Sequence, residues 1–447
     1  MLVIETDDQT VAELAAMPRT RALIAARGVS FDRSIVSLSQ CCPSRATLLT
    51  GRYAHNHGVR SALPPSGGFD AFDDAESLAV WLRRSGYATA LVGKYLNGYG
   101  RADPRQVPPG WTEWHGLLGP TAYRFLGFAM NHDGATRWHA EGYQTDVLTA
   151  IAEDVIRRRA RRDAPFFLWT TYVAPHIGAP RGLLDDLPGD SAVMPPALLG
   201  AGLGAPPVTP DFNEADVTDK PLAIRRRSRL GRRAKWVLAA RRRERQASLL
   251  AVDAGVARLV RALRAAGELE RTVIVFTSDN GFLSGEHRVR AGKVAPYEPA
   301  IRVPLLIRGP GVPAGERRSR LVWNGDLAPT ILAAAGARPP WEMDGRSLWP
   351  LLRGRPGPGR RAVLLEGPPA PWSNGRPRFT GLRTERYAYI EHAGGEVELY
   401  DLAEDPFELE NRAGRPEAAD VQTALARRLE ALRYCAGRAC RAAPSRG

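Results

Sequence analysis

The chain has 447 residues, with 62 Lys and Arg against 48 Asp and Glu, for a formal net charge of +14 at pH 7. That length suffices for one large α/β domain plus a smaller one, while four cysteines are too few for a disulfide scaffold. No apolar run is long enough to span a bilayer, and the positive charge suits a polyanionic substrate or partner, or else simply reflects a composition rich in Ala, Arg, Gly and Pro.

Leu2–Thr6 reads as a first strand, ended at once by Asp7-Asp8. Phe31–Ser37 predicts a second extended piece leading into Cys41-Cys42-Pro43. Glu76–Ser85 carries apolar residues at helical spacing, Gly86 stops it, and Ala88–Val92 reads as a buried strand delivering Gly93-Lys94. Tyr143–Arg162 predicts a long amphipathic helix whose Arg-rich end suits the helix dipole. Phe166–Val173, rich in β-branched and aromatic residues, is a strand delivering Pro175-His176. From Gly178 to Asp219 proline and glycine predict an irregular insert over the surface, followed by a dense basic run, Arg225–Arg245, with Trp236 inside it. Ala247–Ala266 is a helix ended by Gly267, and Thr272–Thr277 a strand delivering Asp279-Asn280-Gly281. Val303–Ile307 and Leu321–Trp323 predict further strands, and Leu327–Ala335 a helix. Strands alternating with helices imply a mostly parallel sheet covered on both faces. After about Pro350 the pattern changes to short strands, Ala362–Glu366, Thr380–Thr384, Tyr387–Glu391 and Val397–Leu402, then a helix near Ala418–Leu432. Residues 1–350 are therefore expected to form the main domain and 351–447 a smaller antiparallel-sheet subdomain.

Four apolar runs end in groups with chemical meaning: Asp7-Asp8, Lys94, His176 and Asp279-Asn280. In open α/β sheets the ligand crevice lies beyond the carboxyl ends of the strands, so these endings converge if the runs are parallel neighbours. Asp7, Asp8, Asp279 and Asn280 supply three carboxylates and an amide carbonyl, a hard oxygen set suited to Ca²⁺ or Mg²⁺ and poor for zinc. Ca²⁺ is favoured because Mg²⁺ demands tighter octahedral geometry.

Pro43 suits the first turn of a helix, Leu48 and Leu49 give it an apolar side, and Gly51 can close it. Cys41 then falls at or just before a helix N-terminus, where negative charge is favoured. Taken alone, Cys41 is equally well a buried or merely reactive thiol. Cys41-x-Pro43-Ser44-Arg45 followed by Leu49-Thr50-Gly51-Arg52 resembles the signature of type I sulfatases. Gly86-Tyr87-Ala88-Thr89 with Gly93-Lys94, Ala174-Pro175-His176, and Ser278-Asp279-Asn280-Gly281 leading to Gly292-Lys293 extend the resemblance, as do Asp344-Gly345-Arg346 and Glu398-Leu399-Tyr400-Asp401. Gly93-Lys94-Tyr95-Leu96-Asn97 together with Cys41-Cys42 is most similar to the N-acetylglucosamine-6-sulfatase branch.

The resemblance implies an alkaline-phosphatase-like fold and hydrolysis of sulfate esters, on a sulfated sugar such as glucosamine 6-sulfate. It implies that Cys41, rather than Cys42, is oxidised to formylglycine by a maturation enzyme and that its hydrate attacks sulfur, dividing the displacement into two steps. Asp7, Asp8, Asp279 and Asn280 would hold the metal together with the oxygen formed at Cys41. Arg45 would orient the hydrate, Lys94 and Lys293 would hold sulfate oxygens, and His176 would protonate the leaving alcohol. His287 is a further candidate for a supporting or substrate contact. One departure is Leu96, where many members carry a histidine; His55, His57, His132 and Asn97 are the candidates to replace it. A phosphonate monoester or phosphodiester hydrolase on the same scaffold is the alternative enzyme, and a non-catalytic polyanion-binding protein using Arg225–Arg245 the alternative from another class. Trp236 alone is too little aromatic interleaving for nucleic-acid recognition. Cys435 and Cys440 are spaced for a surface disulfide, which suits an oxidising compartment. Met1 leads straight into the first strand with no signal peptide, so the expectation is a cytoplasmic protein, or an exported one if the start is trimmed.

Overall fold

The computed structural model describes residues 1–178, 192–199, 201, 203–339, 341–355, 359–370 and 375–441. Ten strands form one sheet: β1 (Leu2–Thr6), β2 (Val29–Ile35), β3 (Ala88–Gly93), β4 (Glu113–Leu117), β5 (Phe128–His132), β6 (Ala135–His139), β7 (Phe166–Thr171), β8 (Ile274–Ser278), β9 (Leu305–Arg308) and β10 (Glu316–Trp323). Their spatial order is β10-β2-β9-β8-β1-β7-β3-β4-β5-β6. The centre, β8-β1-β7-β3-β4, is parallel throughout, with Thr6 opposite Ser278, Glu5 opposite Thr171 and Gly93 opposite Thr171. Antiparallel pairing is confined to β9 and to the outer β5 and β6.

Side chains alternate across the central strands, so each face of the sheet carries its own core. Val3, Leu91, Trp169 and Val275 pack beneath helices Cys41–Thr50, Leu78–Arg84 and Leu327–Ala335. Leu2, Ile4, Leu168 and Phe276 pack on the other face, beneath helices Gln144–Arg159 and Arg232–Ala265. The expected mostly parallel sheet sandwiched by helices is thus present. Close packing at its functional edge demands glycine at Gly93, where φ is 121° and a Cβ would fall 2.0 Å from the Thr171 carbonyl oxygen.

A second sheet, β11 (Ala362–Glu366), β12 (Phe379–Thr384), β13 (Tyr387–His392) and β14 (Val397–Asp401), is antiparallel in simple sequence order and carries helix Ala419–Leu432. It shares one apolar cluster with Ile35, Tyr53 and Trp323 of the large sheet's side, and the Glu366 amide donates to the Ser37 carbonyl at 2.7 Å. Cys435 and Cys440 are joined as a disulfide at its end.

Three sequence expectations need correction. Strands β4–β6 were not foreseen; β6 is solvent-facing along most of its length and so lacks any hydrophobic period. The helix expected to begin at Ala247 begins at Arg232 and takes in most of the basic run, because Arg, Ala, Lys, Leu and Glu are all good helix formers whatever their charge. The 178–219 insert does not lie wholly on the surface: Asp211, Asn213 and Glu214 are buried, while residues 179–191, 200 and 202 fall outside the described residues.

Glu113 ties β4 to the end of helix Gln144–Arg159, accepting from Arg159 at 2.7 and 2.9 Å and from Arg158. Burial works to raise its carboxyl, but hydrogen bonds from His115, Arg158 and Arg159 carry it from the usual 4.5 down to about 2. A depressed carboxyl contributes stability that is complete above its unfolded value and is lost as pH falls through the folded one. Glu113→Gln should therefore remove part of the stability loss between pH 4.5 and about 2, measured by urea titration; an acid limb identical to wild type would show that this tie carries no weight.

Candidate active site

Four consecutive parallel strands deliver their next residues to one edge: Asp279 and Asn280 after β8, Asp7 and Asp8 after β1, His176 beyond β7 and Lys94 after β3. The chain turns sharply at Asp8, which has φ 71°, a conformation that Asp tolerates better than most residues. Its amide donates to Asp279 Oδ1 at 3.1 Å, and Asn280 Nδ2 donates to Asp8 Oδ1 at 2.6 Å. Strand β2 enters the same edge and continues into helix Cys41–Thr50, which Gln40 precedes in extended conformation and Gly51 closes in the left-handed region.

The two adjacent cysteines face opposite ways. Cys41 Sγ donates to Asp7 Oδ1 at 3.2 Å and accepts from Lys293 Nζ at 2.7 Å. Cys42 lies in the apolar core beside the sheet, where burial pushes its thiol up to about 11. Burial and then Asp7 also push the Cys41 thiol up, outweighing Lys293 and Lys94, so the unmodified side chain is a poor thiolate nucleophile. One turn further along, Arg45 is wholly buried; Nε donates to Asp279 Oδ2 at 2.8 Å, Nη1 to the Lys94 carbonyl at 2.8 Å and Nη2 to Asp7 Oδ2 at 3.5 Å. Glu5 lies 3.6 Å from Nη1.

Lys94 is ion-paired with Asp7, and Lys293 Nζ donates to Asp8 Oδ1 at 2.6 Å. His176 Nδ1 is 2.6 Å from the Ile177 carbonyl, leaving Nε2 facing Asp8 Oδ2 at 3.7 Å. Burial pushes this imidazole down to about 4, against the pull of Asp8. Anionic crowding is severe: burial lifts Glu5 to about 8, while Asp7 is held low, against burial, by Lys94, His176 and Lys293. Ligand atoms of Asp7, Asp8, Cys41 and His176 lie within 4.8 Å of one another, and Asp8 Oδ2 and Asn280 Oδ1 are buried without a hydrogen-bond partner. Unpartnered oxygens among carboxylates fit a hard divalent cation.

Residues 6–337 match the sequence family described as Sulfatase. The chain belongs to the sulfatase family. Residues 285–434 of this family member also match the N-sulphoglucosamine sulphohydrolase C-terminal family. Human N-acetylglucosamine-6-sulfatase is 33% identical over 367 residues, covering 79% of this chain and 64% of that protein. The solved structure of BT4656 in complex with its substrate D-glucosamine-2-N,6-O-disulfate superposes with a TM-score of 0.76 at 26% identity, over 96% of each chain. The phosphonate monoester hydrolase of Agrobacterium radiobacter superposes with a TM-score of 0.70 at 26% identity, over 97% of this chain and 95% of that one. The chain spans 49% and 31% of the length of two extracellular sulfatase relatives, from Caenorhabditis elegans and Drosophila melanogaster.

The histidines weighed against Leu96 are engaged elsewhere in this sulfatase-family chain. His55 binds Glu366 and the Cys435 carbonyl, His57 binds Thr47, and His132 sits between His115 and His139 on the outer strands. Leu96 is in the apolar core. Asn97 does reach the site, indirectly: Nδ2 donates at 2.8 Å to the hydroxyl of Tyr123, whose ring lies 4.6 Å from the His176 ring and 4.8 Å from Lys94 Nζ. His287 is fully buried, with Nδ1 2.7 Å from Glu214 Oε2 and its ring against Tyr297.

Two supporting residues had no sequence signal. Tyr123 stands in a short turn between unforeseen strands. Arg245, hidden at the end of the basic run, is buried and clamps the site from behind: it donates to the Asp8 carbonyl at 2.6 Å, the Pro175 carbonyl at 3.1 Å and both Glu13 oxygens at 2.7 Å. Removing one partner of a buried pair strands the other, so Arg245→Met should destabilise by about 3–5 kcal/mol in urea titrations. Exposed Arg233→Met should change stability by less than about 0.5 kcal/mol; equal values for the two would refute the clamp.

Proposed function

We propose that this sulfatase-family member hydrolyses sulfate esters, with a sulfated sugar such as glucosamine 6-sulfate as substrate. The observation that carries the reading is the placement of Cys41 Sγ between Asp7 and Lys293, on the helix that holds Arg45 and at the edge where four strands deliver Lys94, His176, Asp8 and Asp279. The sugar class is supported by the relatives that act on N-acetylglucosamine 6-sulfate and by the glucosamine disulfate complex.

Oxidation of Cys41 to formylglycine by a maturation enzyme would supply an aldehyde hydrate as the nucleophile, avoiding the stable thiosulfate ester a thiol would leave. A divalent cation, Ca²⁺ by preference, would be held by Asp7, Asp8, Asp279 and Asn280 with the oxygen formed at position 41, and would supply Lewis-acid polarisation of sulfate. The remaining work falls to this chain's cations. Arg45 fixes Asp7 and Asp279 and so holds the geometry of the oxygen set. Lys94 and Lys293 flank Cys41 and are placed to meet charge on the sulfate oxygens as the ester bond breaks. His176, anchored through Nδ1 on the Ile177 carbonyl, presents Nε2 to the site as proton donor to the leaving alcohol.

Cys41→Ala should abolish sulfate release, whereas Cys42→Ala, which alters only the core, should retain most of it; equal loss would place the nucleophile wrongly. Mass spectrometry of the peptide from active protein should show formylglycine at residue 41, and unmodified thiol in fully active protein would sink the mechanism. The phosphonate hydrolase superposition favours a second reading, tested by running aryl phosphonate esters beside aryl sulfates: faster turnover of the phosphonate would replace the first.

Cation binding to the folded state alone stabilises it by mass action, by about 2.7 kcal/mol at 100 times Kd. Chelation with EDTA should lower Tm, and Ca²⁺ should restore it in wild type but not in Asp8→Ala. An EDTA-insensitive Tm in both proteins would argue against the oxygen set as a cation site.

A further inference from the structure

A cleft of about 590 Å³ opens above Asp8, His176 and Lys293. That is the size of small-molecule sites in general and far more than a sulfate group fills. Its walls are apolar, formed by Ile224, Phe282, Val294, Tyr297 and Phe379. Two arginines from distant parts of the chain also line it: Arg227, just past the short helix Leu222–Arg225, and Arg378, immediately before β12.

Both are exposed, and neither guanidinium has a carboxylate partner among the described residues. Arg378 is held through its backbone, its amide donating to the Pro368 carbonyl and its carbonyl accepting from the Ala393 amide, each at 2.9 Å. Arg227 is held likewise through its backbone, its carbonyl accepting from Arg288 Nη1 at 3.0 Å, while the residue lines the cleft. Neighbouring arginines are differently used: Arg225 pairs with Glu396 at 3.0 Å, and Arg383 with Glu298 at 2.6 Å. Arg227 also belongs to a run, Arg225, Arg226, Arg227, Arg229, Arg232, Arg233 and Lys235, that contains no acidic residue. The cleft therefore adds two unpaired positive charges to apolar walls, beyond Lys293, which lines it beside Asp8 and His176.

We propose that Arg227 and Arg378 bind a second anionic group, a carboxylate or a further sulfate carried by the same sugar or by the one beside it, so that the preferred substrates are sugars with at least two negative charges. This rests on the sulfate-ester reading. A guanidinium fork matches either oxyanion bidentately, and apolar walls lined by aromatic rings suit the faces of a sugar ring between the two charges.

The test separates binding from turnover. In a Cys41→Ala background, calorimetry would compare N-acetylglucosamine 6-sulfate, D-glucosamine 2-N,6-O-disulfate and a 6-sulfated disaccharide that carries a uronate. Hydrogen bonds to charged groups set the expected scale: Arg227→Gln and Arg378→Gln should each weaken a doubly charged ligand ~10- to 100-fold more than the singly charged one. Loss confined to the disulfate assigns the pair to a second sulfate on the same sugar, and loss confined to the disaccharide assigns it to the neighbouring carboxylate. Equal weakening of all three ligands, within about twofold, with melting temperatures unchanged, overturns the proposal. Failure of the mature wild-type protein to release sulfate from any of the three overturns the sulfate-ester reading instead, and the two failures cannot be confused.

Discussion

The arrangement at the functional edge depends on one buried cation. Arg45 is fully enclosed and touches Asp279, Asp7, Glu5 and the Lys94 carbonyl. Those partners come from β8, β1 and β3, so a single guanidinium joins the ends of three strands to the helix that carries Cys41. Burying a charge costs several kcal/mol unless it is well paired, and here the donors of the planar fork meet partners on several sides. Serine 44, one residue earlier, adds a hydroxyl that donates to the Asp279 carbonyl while accepting from Asn324 at 2.9 Å. The helix is thereby pinned by polar contacts on its first turn and by Leu48 and Leu49 in the core.

Around that pin the site is built in opposed charges. Lys94 and Lys293 sit against Asp7 and Asp8, and Arg245 grips the backbone of the loops carrying Asp8 and His176 from the far side. These contacts divide labour: the cations hold the acids close together, and the acids keep the cations charged in a buried place, where burial alone would strip them. Asp7 is the hinge of this balance, facing Lys94, Arg45 and the Cys41 sulfur at once.

Much of this was legible in the chain because its central strands are short apolar runs, each followed immediately by a functional polar group. Those runs located β1, β3, β7 and β8, and the parallel order then brought Asp7, Lys94, His176 and Asp279 together. What could not be read has definite causes. Strand β6 faces solvent along most of its length and has no buried pattern to betray it. Tyr123 and Arg245 act through contacts far away in sequence, Arg245 on the carbonyl of Asp8, 237 positions away, and a backbone acceptor leaves no trace in residue type. The basic stretch is not uniformly exposed, since Arg245 at its end is core.

Every residue of helix Cys41–Thr50 is buried, and Cys41 itself is 2% exposed. A second protein has no grip on that segment while the sheet lies beneath it and helices Leu78–Arg84 and Leu327–Ala335 pack against it. An enzyme that altered Cys41 would therefore have to meet it in the nascent, still open polypeptide, and its chemistry would compete in time with closure of the sheet.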